Sequence, residues 1–125
     1  MSERSERTIS TIDEVRRICA DLPECEVEGD QHHKLSVRGK AMGWHTVDHH
    51  GDGRVSLTVR AARGENATLV ATDPEKFFLP AYVAHHGYVG VHLDLDDVDW
   101  DEIRELVVDA YRLVAPKRLA ASLDR

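Results

Sequence analysis

Alternation of apolar and polar side chains constrains the fold of this chain more than any other feature of its sequence. In Arg54-Val-Ser-Leu-Thr-Val-Arg60, every second residue is aliphatic, and the residues between are basic or carry hydroxyls. Successive side chains of a β-strand point to opposite faces of its sheet, so the pattern predicts a strand with one dry and one wet face. Lys34-Leu-Ser-Val-Arg38 repeats the pattern. One solvated face is common in antiparallel sheets, so we expect antiparallel pairing.

Turn signals and further apolar runs extend this sheet. Gly39-Lys40 predicts a tight turn into a strand over residues 41–47, and the Asp-Gly pair in the loop of residues 49–53 predicts a second turn. A strand is expected to begin near Cys25, and residues 87–95 form the last apolar strand. The sequence therefore predicts about five strands.

Two amphipathic segments predict the main helices. Thr11 and Glu14 have capping-box spacing, and Pro23 ends the first helix. Asp99 and Glu102 open the second helix with the same spacing. Its apolar stripe comprises Ile103, Leu106, Val107, Ala110 and Val114. Shorter helices are expected over residues 64–72 and 116–123. The predicted fold is α+β, a twisted antiparallel sheet packed against two main helices.

The length of 125 residues fits one domain, which we place at residues 11–125 after a disordered tail over residues 1–10. The polar N-terminus is unlike a signal peptide, and no apolar run approaches the ~20 residues of a membrane span. We therefore expect a cytoplasmic protein without a membrane partner. Its two cysteines, six residues apart, are expected to be reduced.

Charge is distributed unevenly along the chain. The net charge is −7, which opposes general nucleic-acid binding. Residues 31–63, however, hold six Lys or Arg and only two Asp, whereas residues 94–109 hold eight acidic residues and one Arg. Local potential steers association more than net charge does, so a polyanion remains a candidate partner for the basic segment.

A set of short motifs resembles a known family. In chain order these are Val15-Arg16, Leu22-Pro23, Val37-Arg38-Gly39-Lys40, Asp73-Pro74-x-x-Phe77, Tyr82-x4-Gly87-Tyr88-Val89, Asp99-Trp100 and Tyr111-Arg112-Leu113-Val114. No single motif is specific, but the ordered set covers about residues 11–120 and resembles the MmcQ/YjbR-like family. The resemblance implies a frataxin-like (CyaY-like) fold. The family is often labelled DNA-binding by similarity to a phage "double wing" domain. The resemblance implies no catalytic residue.

The leading functional hypothesis is a non-enzymatic binding module that uses the basic sheet face to contact DNA or another polyanion. The candidate nucleic-acid-binding residues are Lys34, Arg38, Lys40, Arg54 and Arg60. Cations on a sheet can meet phosphates, although a half-buried sheet also needs a solvated face. We expect the four at positions 34, 38, 54 and 60 to share one exposed face, because residues i and i+2 line the same side.

The alternative is a small-molecule- or protein-binding domain that uses a cleft beside the loop of residues 82–88. The candidate cleft residues are Tyr82, His85, His86 and Tyr88. Loops on a rigid sheet tend to carry function, and these side chains can both stack and form hydrogen bonds.

Weak metal binding is the third hypothesis. Three adjacent histidine pairs occur in the chain, but none has the spacing of a known metal motif. The acidic segment serves helix capping in our interpretation. No phosphate-binding loop or nucleophile motif is present. We therefore predict no catalytic residue, no metal site and no cofactor, and we expect a monomer.

Overall fold

The computed structural model describes residues 3–48, 51 and 53–124, with side chains from residue 11 onwards. Six strands form one antiparallel sheet with the order β1-β2-β3-β4-β6-β5. They are β1 (Cys25–Gly29), β2 (His33–Val37), β3 (Lys40–Val47), β4 (Val55–Arg60), β5 (Phe77–Phe78) and β6 (Tyr88–His92). The helices are α1 (Glu3–Ala20), α2 (Glu65–Thr72), α3 (Trp100–Val114) and α4 (Lys117–Ser122), and a 3-10 turn (Ala84–His86) precedes β6. The predicted α+β fold is confirmed.

The aliphatic positions of the alternating strands form the inner face of the sheet, which α1 and α3 cover. Leu57 of β4 lies opposite His45 of β3 and Val91 of β6, so all three share this face. Leu57 and Val107 of α3 are both completely buried in the same apolar cluster. Burying one such side chain contributes about 1.5–3 kcal/mol, so this layer is the main source of stability.

Asp99 caps α3 as the sequence predicts. Its Oδ1 accepts hydrogen bonds from the backbone N–H groups of Asp101 (3.0 Å) and Glu102 (3.2 Å). Glu102 does not complete a capping box, because its carboxylate pairs with Lys76 at 2.8 Å. The α3 stripe is buried at four of the five predicted positions, and Tyr111 is buried with them.

The structure differs from the sequence prediction at two places. Helix α1 begins at Glu3, where the sequence predicted a disordered tail up to residue 10. Glu and Arg favour helices, and nothing before Thr11 interrupts the helix. The additional strand is β5, whose two residues are too few to show alternation. In the predicted hairpin loop, residues 49, 50 and 52 lie outside the described residues.

Two buried histidines lie between α1 and the sheet. His33 of β2 and His45 of β3 are opposite each other, with ring centroids 6.1 Å apart and edge-to-face. His45 is 0% exposed, and its Nε2 is 2.9 Å from the Thr11 hydroxyl on α1. Within the described part of the chain, the Nδ1 atoms of both rings have no hydrogen-bond partner. Burial lowers the pKa of His45 to about 4, and burial also lowers the pKa of His33.

Candidate ligand-binding cleft

The outer face of the sheet carries an aromatic ring and three hydroxyls at its centre. Trp44 of β3 lies opposite Thr58 of β4, and Thr46 lies opposite Ser56. Antiparallel partners point to the same face, so these four side chains form a two-by-two array on the side away from α1 and α3. The wet positions of the sequence pattern therefore form one continuous floor.

The chain that follows β5 forms a wall above this floor. Floor and wall enclose a cavity of about 450 Å³. Its lining consists of His32, Trp44, Thr46, Ser56, Thr58, Phe78, Pro80, Ala81, Tyr82 and Val83. The lining is largely apolar, and its hydroxyls come from the floor. This is the chemistry of a small-molecule site.

Phe78 of β5 can line the cavity beside the wall because Gly90 has no side chain. Phe78 and Gly90 are opposite each other in the β5–β6 pair, and a Cβ at Gly90 would overlap the Phe78 ring. The ring also stacks on His92, with centroids 4.6 Å apart and an interplanar angle of 23°. His92 also contacts the floor, since its Nδ1 lies 3.4 Å from Ser56 Oγ.

Tyr82 occupies a strained position at the cleft. Its φ is 68°, and the N–H of Val83 donates to the carbonyl of Ala81 at 2.9 Å. A hydrogen bond from i+2 to i around a residue with positive φ is the arrangement of a γ-turn, which is rare and strained. The side chain is 81% exposed although it lines the cavity. Three other non-glycine residues of the described chain, Glu24, Arg38 and Asp48, also have positive φ, and Tyr82 is the one of the four that lines the cavity.

The structure separates the residues of the predicted cleft. Tyr82 lines the cavity, whereas His85, His86 and Tyr88 are not part of its lining. The two histidines are exposed on the 3-10 turn, with their rings 3.9 Å apart. Tyr88 is buried on the outer face and packs against Trp44, with centroids 5.4 Å apart. Tyr88 therefore supports the floor from beside the cavity.

Two of the five predicted nucleic-acid-binding residues contact carboxylates. Arg54 donates to both oxygens of Asp94 at 2.9 Å, and Asp94 also accepts from the backbone N–H of Val55 at 3.2 Å. Burial raises the pKa of Asp94, but the hydrogen bonds from Arg54 and Val55 outweigh it, so the pKa is lowered. Arg38 lies in the β2–β3 turn with a φ of 49°, and it donates to both oxygens of Glu24 at 3.1 Å.

The other three basic residues are exposed, but they are not together. Lys34 lies opposite Trp44, and Arg60 is the next outer-face position on β4 after Thr58. Both therefore flank the floor of the cleft. Lys40 lies opposite Val37, a core residue, at the end of the β2–β3 hairpin. DNA binding by these residues stays a prediction.

In the acidic segment, structural contacts are made by Asp94, by Asp99 and by Glu102, which pairs with Lys76. Asp94 holds Arg54, and Asp99 caps α3. Across the described residues, no three His, Cys, Asp or Glu side chains are grouped so as to hold a metal ion. Both cysteines are free thiols.

Sequence reasoning identified Tyr82 but not the rest of the lining. Alternation correctly placed Ser56 and Thr58 on the face opposite the aliphatic core, but that face was predicted to be solvated and both residues are buried. Phe78 and Pro80 gave no such signal, because a two-residue strand and the loop after it have no periodicity. Their place over the floor is a tertiary property, set by pairing with β6.

These features define a class: an α+β domain whose antiparallel sheet has helices on one face and a cleft on the other. The family model described as YjbR matches residues 20–113, and the chain belongs to the YjbR family. The family predicted from the motifs is thus confirmed. No curated protein matches the chain.

Among solved structures, the chain is similar to the crystal structure of Deinococcus radiodurans protein DR2400, which carries the family-model domain DUF419. The two superpose with a TM-score of 0.70 at 19% sequence identity, over 90% of this chain and 87% of that one. At this identity the likeness shows a shared fold. Among the described residues, no helix is long and apolar enough to cross a membrane.

Proposed function

We propose that this chain is a binding module that takes a small molecule into the cleft on the outer face of its sheet. The cavity of about 450 Å³ carries the proposal. Ligand sites in proteins are typically concave, of about 300–1,000 Å³, and mostly apolar with a few placed polar groups. Trp44, Phe78 and Tyr82 supply the apolar surface, and the floor hydroxyls supply the polar groups.

Binding fits this lining better than catalysis does. General acid–base catalysis needs a positioned group that exchanges a proton with the substrate. His32 and Tyr82 are the titratable side chains of the lining, and both lie at the exposed part of the cleft. The floor consists of hydroxyls and an indole, which can orient a ligand. Ser56 Oγ does lie beside an imidazole, but its 3.4 Å separation from His92 Nδ1 is longer than the ~2.6–3.2 Å of a nucleophile and its base.

A cleft-filling variant tests the proposal. Thr46→Phe places a ring on the floor, whereas Glu28→Phe places the same ring on edge strand β1, outside the lining. A fragment library is screened against the parent protein by ¹H–¹⁵N NMR. We expect hits that shift the amides of Thr46, Ser56 and Thr58, that lose binding in Thr46→Phe, and that keep it in Glu28→Phe. A library without such hits, or with equal binding by both variants, contradicts the proposal.

Polyanion binding is the second candidate function, favoured by the exposed side chains of Lys34 and Arg60. Both flank the floor on the outer face, where a strand or backbone of nucleic acid could lie. The net charge of −7 and the carboxylates beside Arg38 and Arg54 oppose it. Phosphate contacts release counterions, so such binding must weaken steeply as salt rises.

A salt series with duplex DNA tests this candidate. If Lys34 and Arg60 each contact a phosphate, replacing both with Ala lowers the slope of log K against log salt by about two. Arg54→Ala serves as the comparison, because Arg54 already holds Asp94. Absent binding at low salt, or an unchanged slope in the double variant, eliminates this function and leaves the cleft proposal standing.

A further inference from the structure

The lining of the cleft determines which net charge its ligand can carry. Among its described residues there is no Lys, Arg, Asp or Glu. Lys34 and Arg60 flank the floor, but both are exposed and lie outside the lining, so water and salt screen their charges. The guanidinium of Arg54 is engaged by Asp94 through two hydrogen bonds of 2.9 Å. An ion that enters an apolar cavity loses hydration, and this cost is high unless an opposite charge replaces the water. The cleft therefore favours an uncharged ligand.

The rings around the cavity determine the shape of the ligand. Trp44 comes from the floor, Phe78 from β5 and Tyr82 from the wall. Two of these rings are fixed by neighbours, since Trp44 packs on Tyr88 and Phe78 stacks on His92. Aromatic groups pair best in offset-stacked or edge-to-face arrangements. Rings on several sides of one cavity favour a flat aromatic ligand over an aliphatic one.

The floor hydroxyls lie on one side of this aromatic lining. Thr46, Ser56 and Thr58 are neighbours on two adjacent strands, all on the outer face. A hydroxyl can both donate and accept, so three of them in a row can satisfy mixed donors and acceptors along one edge of a ligand. A purely hydrocarbon ring would shield the hydroxyls of Thr46 and Thr58 from water without forming hydrogen bonds to them, at a cost in affinity.

We infer that the cleft binds a flat, uncharged aromatic ring system that carries hydrogen-bonding groups along one edge. This inference rests on the proposed function and names the ligand class for the same site. Tyr82 covers the exposed side of the ring, while Tyr88 and His92 already hold Trp44 and Phe78 in place before the ligand arrives. Preorganised contacts of this kind lower the entropic cost of binding.

A matched set of three probes tests the ligand class. Coumarin is flat, uncharged and has a polar edge, octahydrocoumarin is its saturated analogue, and coumarin-3-carboxylate adds a negative charge. Each is titrated into the full chain, and the dissociation constant is taken from the amide shifts of Thr46, Ser56 and Thr58. We expect coumarin to bind at least about tenfold more tightly than either analogue, which corresponds to about 1.4 kcal/mol.

The outcomes separate the ligand class from the function. Equal or tighter binding of octahydrocoumarin or of the carboxylate at these amides overturns the ligand class but leaves the cleft as a binding site. If none of the three probes shifts these amides, and the fragment library also gives no hits there, the proposed function fails as well.

Variants of the wall test the role of Tyr82. Tyr82→Ala should weaken coumarin binding at least about fivefold, while Tyr82→Phe, which keeps the ring, should retain it. Leu79→Ala is the matched control, because Leu79 is 50% exposed on the same segment but lies outside the lining. Both positions are exposed, so folding should be preserved in all three variants, and thermal melts check this. Unchanged affinity in Tyr82→Ala contradicts the assigned role.

Discussion

The two faces of the sheet use the same strands for different purposes. On β4, Leu57 points inward and is completely buried under the helices, while its neighbour Thr58 points outward to the floor of the cleft. Both side chains are nearly inaccessible to water, yet only the inner one belongs to the apolar cluster. Burial alone therefore does not distinguish the apolar core from the candidate cleft in this molecule. The chemistry of the buried group, aliphatic or hydroxyl, is what distinguishes the two faces.

The largest expected effect compares these neighbours directly. Leu57→Ala leaves a cavity in the core and should lower the free energy of unfolding by about 2–5 kcal/mol. Thr58→Ala removes a floor hydroxyl and should cost only about 1 kcal/mol, the average for a point substitution. Urea denaturation of both variants measures the difference. If Thr58→Ala costs as much as Leu57→Ala, the outer face is part of the stabilising core and the contrast is lost.

His45 is the polar exception on the inner face, and its titration should give the next largest effect. Burial lowers its pKa to about 4 in the folded protein, whereas its unfolded value is near 6.5. The unfolded chain therefore takes up the proton first. The contribution of neutral His45 to the free energy of unfolding is fully present above about pH 6.5. About 3 kcal/mol of it is lost as the pH falls towards 4. The lowered pKa of His33 acts in the same direction.

Denaturation curves between pH 4 and pH 8 check this effect in the parent protein and in His45→Gln. The variant cannot take up a proton at this position, so its stability should change less over the same range. Arg16 and Asp30 also act on His33, with opposite signs, and both are kept in the variant. Parallel profiles for the two proteins would show that His45 does not control the acid sensitivity.

Substitution of Gly90 is expected to have a smaller effect on stability, confined to the outer face of the sheet. Gly90→Ala pushes the Phe78 ring away from its place and should cost about 1–3 kcal/mol by overpacking. It should also weaken ligand binding, because Phe78 lines the cleft. In a Phe78→Ala background the clash is gone, so Gly90→Ala should cost less there. The double-mutant cycle measures this coupling, and additive costs would contradict the assigned contact.

The sequence predicted those parts of the molecule that depend on local order. Alternation located β4, and the Asp99 motif located the start of α3, because each depends on neighbours along the chain. The cleft depends on contacts across the chain, such as Phe78 over Gly90, and a local pattern does not encode them. The same holds for Arg54, because the sequence shows that it is a cation but does not show that it pairs with Asp94.

The strand order also governs how the polypeptide can assemble during folding. Strands β1 to β4 pair with their neighbours in sequence, and such short-range contacts close quickly. Strand β6 must instead return to β4 across residues 61–87, which include β5 and the wall of the cleft. The meander of strands β1 to β4 can therefore form before the wall does. We expect the wall to open more readily than strands β1 to β4 in the native state, so the amide protons of residues 81–83 should exchange before those of β3.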